Sequence, residues 1–236
     1  MESQAIPTIR YTARWFCYLD LLGFRALVGR KDIQQVLPLY EQALVDLKKA
    51  VKTRETHGIL HSWFSDTFII YSKRGRAEDF SQIEQAGRFF FRELIAHGIP
   101  VRGALTYGKL YSQQERNIFI GPALIDGYQY GEGQDWLGFL LTPAAIGRMG
   151  ELGLPASERL NYRIVEDVGV VNENLSGPVY AFCFGDGKVQ GKNRYLASLE
   201  EMRSRAGPEY SAKYDRTISF LKANSYRKVV TGAPSA

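Results

Sequence analysis

The chain of 236 residues has only two cysteines, three histidines and three methionines. Cys17 and Cys183 stand far apart and match no CxxC or metal-ligand spacing. A disulfide framework and a thiolate metal knuckle are therefore excluded, and both are expected as reduced, buried thiols. His57 and His61 sit at a helix–strand junction, where i, i+4 spacing would not place them on one face, so a zinc pair is not expected. His97, beside Gly98, reads as a cation at a helix C-terminus. No uncharged apolar run approaches the ~18–20 residues a bilayer span needs. The opening MESQAIPTIR lacks the apolar core of a secretory leader, which makes a cytoplasmic protein the expectation. No block of five or six basic residues exists. The densest groups, Lys48-Lys49-Ala50-Val51-Lys52 and Lys73-Arg74-Gly75-Arg76, read as a solvated helix face or loop, and no nucleic-acid partner is expected.

What the chain does have is ordinary globular material. Hydrophobic residues make up 45% and charged residues 23%, with aromatics at 13%. A chain this long can bury ~70% of its unfolded surface without a staple, so one domain over residues 1–236 is expected. The net charge of +5 suits an anionic ligand such as a nucleotide phosphate, and as weakly suits nucleic acid.

Periodicity places the elements. The aromatic run 14–20 reads as a central strand ending at Asp20. Leu37, Tyr40, Leu44, Leu47 and Val51 step by three or four, which predicts a helix over 33–54. Two strand-like runs over 58–72 flank Ser65-Asp66 as a hairpin. A second helix fits 79–97, with Gly98 as its stop. Residues 100–111 read as a strand and tight turn, 113–116 as a polar loop, and 118–120 as a short strand. Pro122 then opens a helix to about Gly131. An added strand near 137–141, a helix at 143–150, strands near 162–165 and 179–184, and helices from Lys192 and from Glu209 complete the pattern. The order implies one α/β sandwich, with helices on the outer faces of the sheet.

Two aspartates carry the chemistry. Asp20 ends an apolar strand and Asp66 sits at the tip of an apolar hairpin. If the strand lies beside the hairpin, both carboxylates emerge at one sheet edge. Paired carboxylates with phosphate oxygens are what a hard divalent cation takes. The alternatives are a helix N-cap for Asp20 and a turn residue for Asp66. Just after the strand, the free amides of Leu21, Leu22, Gly23 and Phe24 are expected to hold phosphate oxygens.

In these motifs the sequence resembles the class III nucleotidyl cyclases. Asp20-Leu-Leu-Gly23-Phe24 mirrors the strand-end metal motif of that family, and Ser65-Asp66 its hairpin metal motif. Arg102-Gly103-Ala104-Leu105-Thr106-Tyr107-Gly108 is similar to its Arg-Gly strand, with the first glycine displaced by one. Phe119-Ile120-Gly121-Pro122-Ala123 resembles the segment that opens its next helix. The likeness covers about residues 12–135. It implies an α+β fold with a central, mostly antiparallel sheet, flanking helices and a C-terminal helical extension. Residues 137–225 are then expected to complete the sheet and the dimer. It also implies two Mn2+ or Mg2+ ions held by Asp20, Asp66 and the main chain at Leu21, and a head-to-tail homodimer with sites at the shared interface.

Departures from the family narrow the expectation. The base-selecting lysine of purine cyclases is replaced by Ser62, next to Trp63. The usual Asn and Arg of the helix are Ile125 and Gln129. Bulky aromatics and Gly-Pro-Ala-Leu after the strand resemble the Pycsar-type pyrimidine cyclases of bacterial antiphage defence. The expected activity is conversion of UTP to cyclic UMP and pyrophosphate, with cyclic CMP from CTP as the alternative, and a separately encoded effector reads the product. Arg102 is the candidate for the missing transition-state cation, a surface or dimer salt bridge being its alternative; Lys109 and Arg116 are weaker. Trp63 or Phe64 would wall the base, the other joining the core. Thr106 or Asn117 would touch the base edge, although a surface loop also suits Asn117. Asp126 reads as a third carboxylate or as a solvated helix position. The competing readings are a catalytically silent cyclase-like nucleotide-binding module, favoured by the missing Asn/Arg pair, and a nucleic-acid-binding α/β domain resting on basicity and aromatics alone.

Overall fold

The structure is a computed structural model. It describes residues 10–24, 28–29, 32–52, 58–154, 161–165, 177–184, 188–189 and 192–224. The first strand, β1 (Thr12–Leu21), lies between two neighbours and is covered on both faces. Trp15, Cys17, Leu19 and Leu21 point into one core, Phe16 and Tyr18 into another. Burial on both sides is why its sequence is a near-continuous apolar run.

Helix α1 (Ile33–Val51) follows, its N-terminus capped by the Asp32 side chain. The hairpin of β2 (Ile59–Phe64) and β3 (Thr67–Ser72) turns through Ser65 at φ 55°. Helix α2 (Ala77–Ala96) then leads to β4 (Val101–Gln113). These strands run in the order β2-β3-β1-β4, each pair antiparallel. This is the split βαβ arrangement in which one hairpin strand is inserted between a strand and its crossover partner. Both α1 and α2 pack on the Trp15 face, where Ala43, Leu47, Phe80, Ile83, Phe90 and Leu94 fill the core.

After β5 (Ile118–Ile120), helix α3 (Pro122–Glu132) crosses the opposite face. It lies tight on β1 because Gly127 and Gly131 have no side chains. A Cβ at Gly131 would come within 2.5 Å of the Tyr18 ring, and one at Gly127 within 3.0 Å of Phe16. The crossover returns to β6 (Phe139–Leu141), parallel to β4, and β8 (Tyr180–Phe182) and β7 (Tyr162–Ile164) extend the sheet antiparallel beyond it. Helix α4 (Pro143–Glu151) lies between β6 and β7 in the chain. A separate two-stranded pair, β9 (Lys188–Val189) and β10 (Lys192–Asn193), precedes helices α5 (Arg194–Arg205) and α6 (Pro208–Asn224). The α+β sandwich with a mostly antiparallel sheet and C-terminal helices is as expected.

One element differs. No tight turn interrupts residues 100–111: β4 runs unbroken to Gln113, and the chain turns at Gln114–Arg116, with Asn117 left-handed at φ 52°. Gly108 instead makes room for α3, since a Cβ there would stand 3.4 Å from Ala123. Cys17 and Cys183 are buried, and neither is disulfide-bonded. His61 lies on β2, while His57 falls outside the described residues. No described helix is long and apolar enough to cross a membrane.

Two glycine substitutions separate packing from propensity. Gly131→Ala is expected to destabilise the chain by about 1–3 kcal/mol through overpacking against buried Tyr18. Gly147→Ala, on the exposed side of α4 with nothing within 4 Å of the added methyl, should stabilise it by up to about 1 kcal/mol. Urea unfolding of both variants checks the pair.

Candidate active site

Strand alternation fixes the site. On β1, Asp20 shares the face of Tyr18 and Phe16, beneath α3, and pairs in register with Thr67 of β3 and Arg102 of β4. Asp66 stands at the hairpin turn one position before Thr67, and its main-chain carbonyl accepts from the Leu21 amide at 3.0 Å. The structure thus brings Asp20, Leu21 and Asp66 to one end of the sheet.

A third carboxylate meets them that the sequence pattern did not single out. Glu132, the last residue of α3, accepts from the Tyr18 hydroxyl at 3.1 Å and from Arg102 Nη2. The Arg102 guanidinium binds the whole group together. Its Nε donates to Asp20 at 3.3 Å, and its Nη1 donates to the carbonyls of Glu132 at 2.6 Å and Gln134 at 3.1 Å. Four of its five N–H groups therefore have acceptors within the chain. The signal for Tyr18 was the period-2 alternation from Asp20. Glu132 had none, because its place depends on how closely α3 lies on β1.

The electrostatics follow from this crowding. Burial pushes the Asp20 carboxyl up from 3.8 to about 7, helped by the charge of Glu132, opposed by Arg102 and helped again by Asp66. Burial also raises the Tyr18 hydroxyl, so it remains a donor to Glu132. Arg102 pairs with Asp20 and Glu132, and the charge of Asp66 acts on Asp20 as well, leaving more negative charge here than the one arginine balances. That donor set of hard oxygens fits a divalent cation.

The other residues singled out from sequence are placed variously. The amides of Leu21 and Leu22 are not free: β1 continues through Leu21, and Leu22 donates to Pro100 O at 2.8 Å. Gly23, at φ +73°, meets nothing within 4 Å of an added Cβ. Phe24 packs partly against the main core. Thr106 is fully buried under α3; its hydroxyl donates to Asp126 and accepts from Thr142 at 3.0 Å, so it does not face a ligand. Asp126 is accordingly an internal acceptor, and the third carboxylate is Glu132. Neither Trp63 nor Phe64 joins the core, because β2 is the edge strand and its tip extends beyond the helices. Trp63 stacks on His61, and Asn117 accepts from Ser62 at 2.8 Å, so these four positions gather along the outer edge of the hairpin. Ile125 and Gln129 are exposed on α3, and Lys109 and Arg116 are exposed near the far end of β4.

A second titratable cluster lies elsewhere. Asp46, Glu93 and His97 bring one ligand-capable atom each within 4.8 Å of the others. His97 Nδ1 lies 2.8 Å from Asp46 Oδ2, Lys49 and Gln42 donate to Asp46 Oδ1, and Arg194 donates to Glu93 at 2.5 Å. Cations of the chain already occupy this cluster, which ties α1, α2 and α5 together.

No family model matches the chain, and no curated protein matches it. Solved structures do. The guanylate cyclase domain of RhGC from Catenaria anguillulae in complex with GTP is similar at TM-score 0.55 and 10% identity, covering 72% of this chain and 96% of that one. The adenylyl cyclase CyaB from P. aeruginosa is similar at 0.52 and 13% identity, covering 78% and 98%. A dimeric guanylyl cyclase domain of the RhoGC fusion protein from Blastocladiella emersonii is similar at 0.54 and 9%, covering 72% and 93%. The chain has the fold of class III nucleotidyl cyclase domains.

The raised Asp20 carboxyl sets a pH dependence. The metal-free folded chain keeps this proton up to about pH 7, while an unfolded aspartate loses it near 3.9. The folded state binds more protons in between, so this group's contribution to stability falls as pH rises from about 4 to 7. Metal-free Asp20→Asn is expected to be more stable than the parent at pH 8, by on the order of 2 kcal/mol, because the burial cost of the ionised carboxylate disappears, offset in part by the loss of a charged acceptor for Arg102. The difference should vanish near pH 4; denaturant titrations at the two pH values measure it.

Proposed function

We propose that the chain is a pyrimidine nucleotide cyclase, converting UTP to 3′,5′-cyclic UMP and pyrophosphate, with CTP as the alternative substrate. The observation that carries this reading is the convergence of Asp20 and Asp66 at the end of β1, on a cyclase fold, with more negative charge than Arg102 balances. Two Mg2+ or Mn2+ ions would be held by Asp20, Asp66 and the Leu21 main chain. When bound they acidify the attacking hydroxyl and neutralise the leaving pyrophosphate.

The reaction forms a bond from the 3′-oxygen to the α-phosphorus and breaks the bond from that phosphorus to the bridging oxygen. The hydroxyl proton leaves to solvent, and the electron pair leaves with pyrophosphate. The chain's own residues hold the acceptors still. Arg102 orients Asp20 and Glu132, and the Tyr18 hydroxyl fixes the second oxygen of Glu132. In this reading Arg102 is a positioning residue acting through Asp20. The amides of Gly23 and Phe24 remain for phosphate contact, after Leu21 and Leu22 have taken internal partners.

The pyrimidine assignment is supported by Ser62 at the position of the purine-selecting lysine, with Trp63 and Asn117 beside it. A homodimer is supported by an apolar surface that runs over the hairpin and α3. Phe64 is 75% exposed, Ile125 58% and Tyr128 53%. A second copy covering them would bring the Trp63 edge of one protomer toward the carboxylates of the other. The resemblance of Gly121-Pro122-Ala123-Leu124 to defence cyclases supports the further proposal of a cytoplasmic enzyme whose product is read by a separate effector. Arg102's engagement within the chain, with Ile125 and Gln129 on α3, favours the second reading, a silent nucleotide-binding module.

Purified protein incubated with each of the four nucleoside triphosphates and manganese is expected to release pyrophosphate and a cyclic pyrimidine nucleotide, resolved by chromatography. Asp66→Ala should abolish turnover; activity that survives it would sink the metal assignment. Cyclisation of ATP or GTP in preference would remove the pyrimidine assignment. Tight nucleotide binding without pyrophosphate release would identify the silent module.

A further inference from the structure

The turn that leaves β1 has a second recess behind it. A cavity of about 840 Å³ lies between residues 21–24, residues 96–100 and helices α5 and α6. Asp20 and Asp66 are not among its walls. Asp20 belongs to the α3 face of the sheet, whereas Leu21 points to the opposite face, toward the main core. The recess therefore lies on the far side of the turn from Asp20, and Leu21, Gly23 and Phe24 border both it and the candidate active site.

Its chemistry is that of a small-molecule pocket: the volume suits a ligand of drug size. The walls include Tyr40, Met202, Tyr210 and Tyr214, flat or pliable groups suited to a planar apolar body. Cations stand at the border. Arg205 is an exposed partner of Glu201, an arrangement worth little in water. Lys213 shares a single carboxylate, Asp135, with Arg216, so one of those two positive charges is in excess. Arg194 rests on Glu93. The balance around the cavity is positive.

The turn connects the cavity to the carboxylates. Leu21 N is hydrogen-bonded to Asp66 O, and Leu22 N to Pro100 O. Gly23 follows at φ +73° with open space around it. A body wedged against Leu22 and Phe24 bears directly on the segment that aligns Asp20 with the hairpin.

We propose that this cavity is a regulatory site for a small aromatic anion, its flat body lying among the tyrosines and its acidic group beside Lys213 and Arg205, and that occupancy is transmitted to Asp20 and Asp66 through the Leu21–Phe24 turn. The binding stands apart from the cyclase reading; any effect on turnover rests on that reading.

The test uses 8-anilinonaphthalene-1-sulfonate as the anionic probe and N-phenyl-1-naphthylamine as its uncharged counterpart, titrated by fluorescence into the full chain. The anion is expected to bind at one saturable site, about tenfold more tightly than the neutral compound. Ala197→Trp, at an exposed position on α5 that lines the cavity, should weaken it at least about tenfold. Lys213→Gln, which leaves Arg216 to pair with Asp135, should weaken it about five- to tenfold and serves if the tryptophan variant does not fold. Asp66→Ala should bind like the parent, so loss of the cyclase reading leaves the result legible. At saturation, amide exchange at Leu22–Phe24 should slow. Unchanged affinity in both wall variants, or equal affinity for the neutral compound, overturns the site; unchanged exchange at the turn overturns the transmission.

Discussion

A carboxylate buried at the end of a central strand is the constraint around which the rest of this structure is arranged. Asp20 sits on β1 between two hydrogen-bonded neighbours and under a helix, where an ionised group has little water to stabilise it. Arg102, directly opposite on β4, supplies the nearest compensation, and it also holds Glu132 and the carbonyls of Glu132 and Gln134. The glycines of α3 allow that helix to descend far enough for Glu132 to reach the guanidinium. Sheet pairing, helix packing and charge balance are thus one arrangement. It leaves an excess of negative charge at the sheet edge, a condition that a cation-dependent phosphoryl-transfer site requires and that an ordinary structural ion pair would avoid.

Much of this was legible in the sequence, because it was local. The aromatic run before Asp20 marked a strand buried on both faces, and the apolar runs around Ser65-Asp66 marked a hairpin. Three-and-four spacing located α1 and α2 to within a few residues. What was not legible depended on approach distances between segments remote in the chain. The glycines within 100–111 suggested a tight turn, since a glycine that admits a neighbouring helix and one that reverses the chain are identical in a string. Thr106 looked available for a ligand, but its hydroxyl is taken by Asp126, twenty positions on. Alternation assigned one of Trp63 and Phe64 to the core, and that rule fails at the uncovered tip of an edge strand. The cavity joins residues 21–24 to residues 194–214, and no local pattern announces such a meeting.

The segment beyond the likeness to known cyclase motifs is built into the sheet. Strands β6, β8 and β7 continue it past β4, and Trp136 and Phe220 pack edge to face where α6 meets the loop after α3. The buried Leu137 amide has its acceptor in Thr217 of α6.

That last contact belongs to a longer chain of connections. Arg102 grips the carbonyl of Gln134; the Gln134 side chain donates to Gly103 O and accepts from the Trp136 indole; Asp135 is clasped by Lys213 and Arg216. Helix α6 therefore acts as a strut for the loop that Arg102 holds. Trimming the chain ahead of it would strip acceptors and counter-charges from the very loop on which Arg102 leans, so damage at the tail would be felt at the opposite end of the molecule's wiring, as a slackened grip on Asp20.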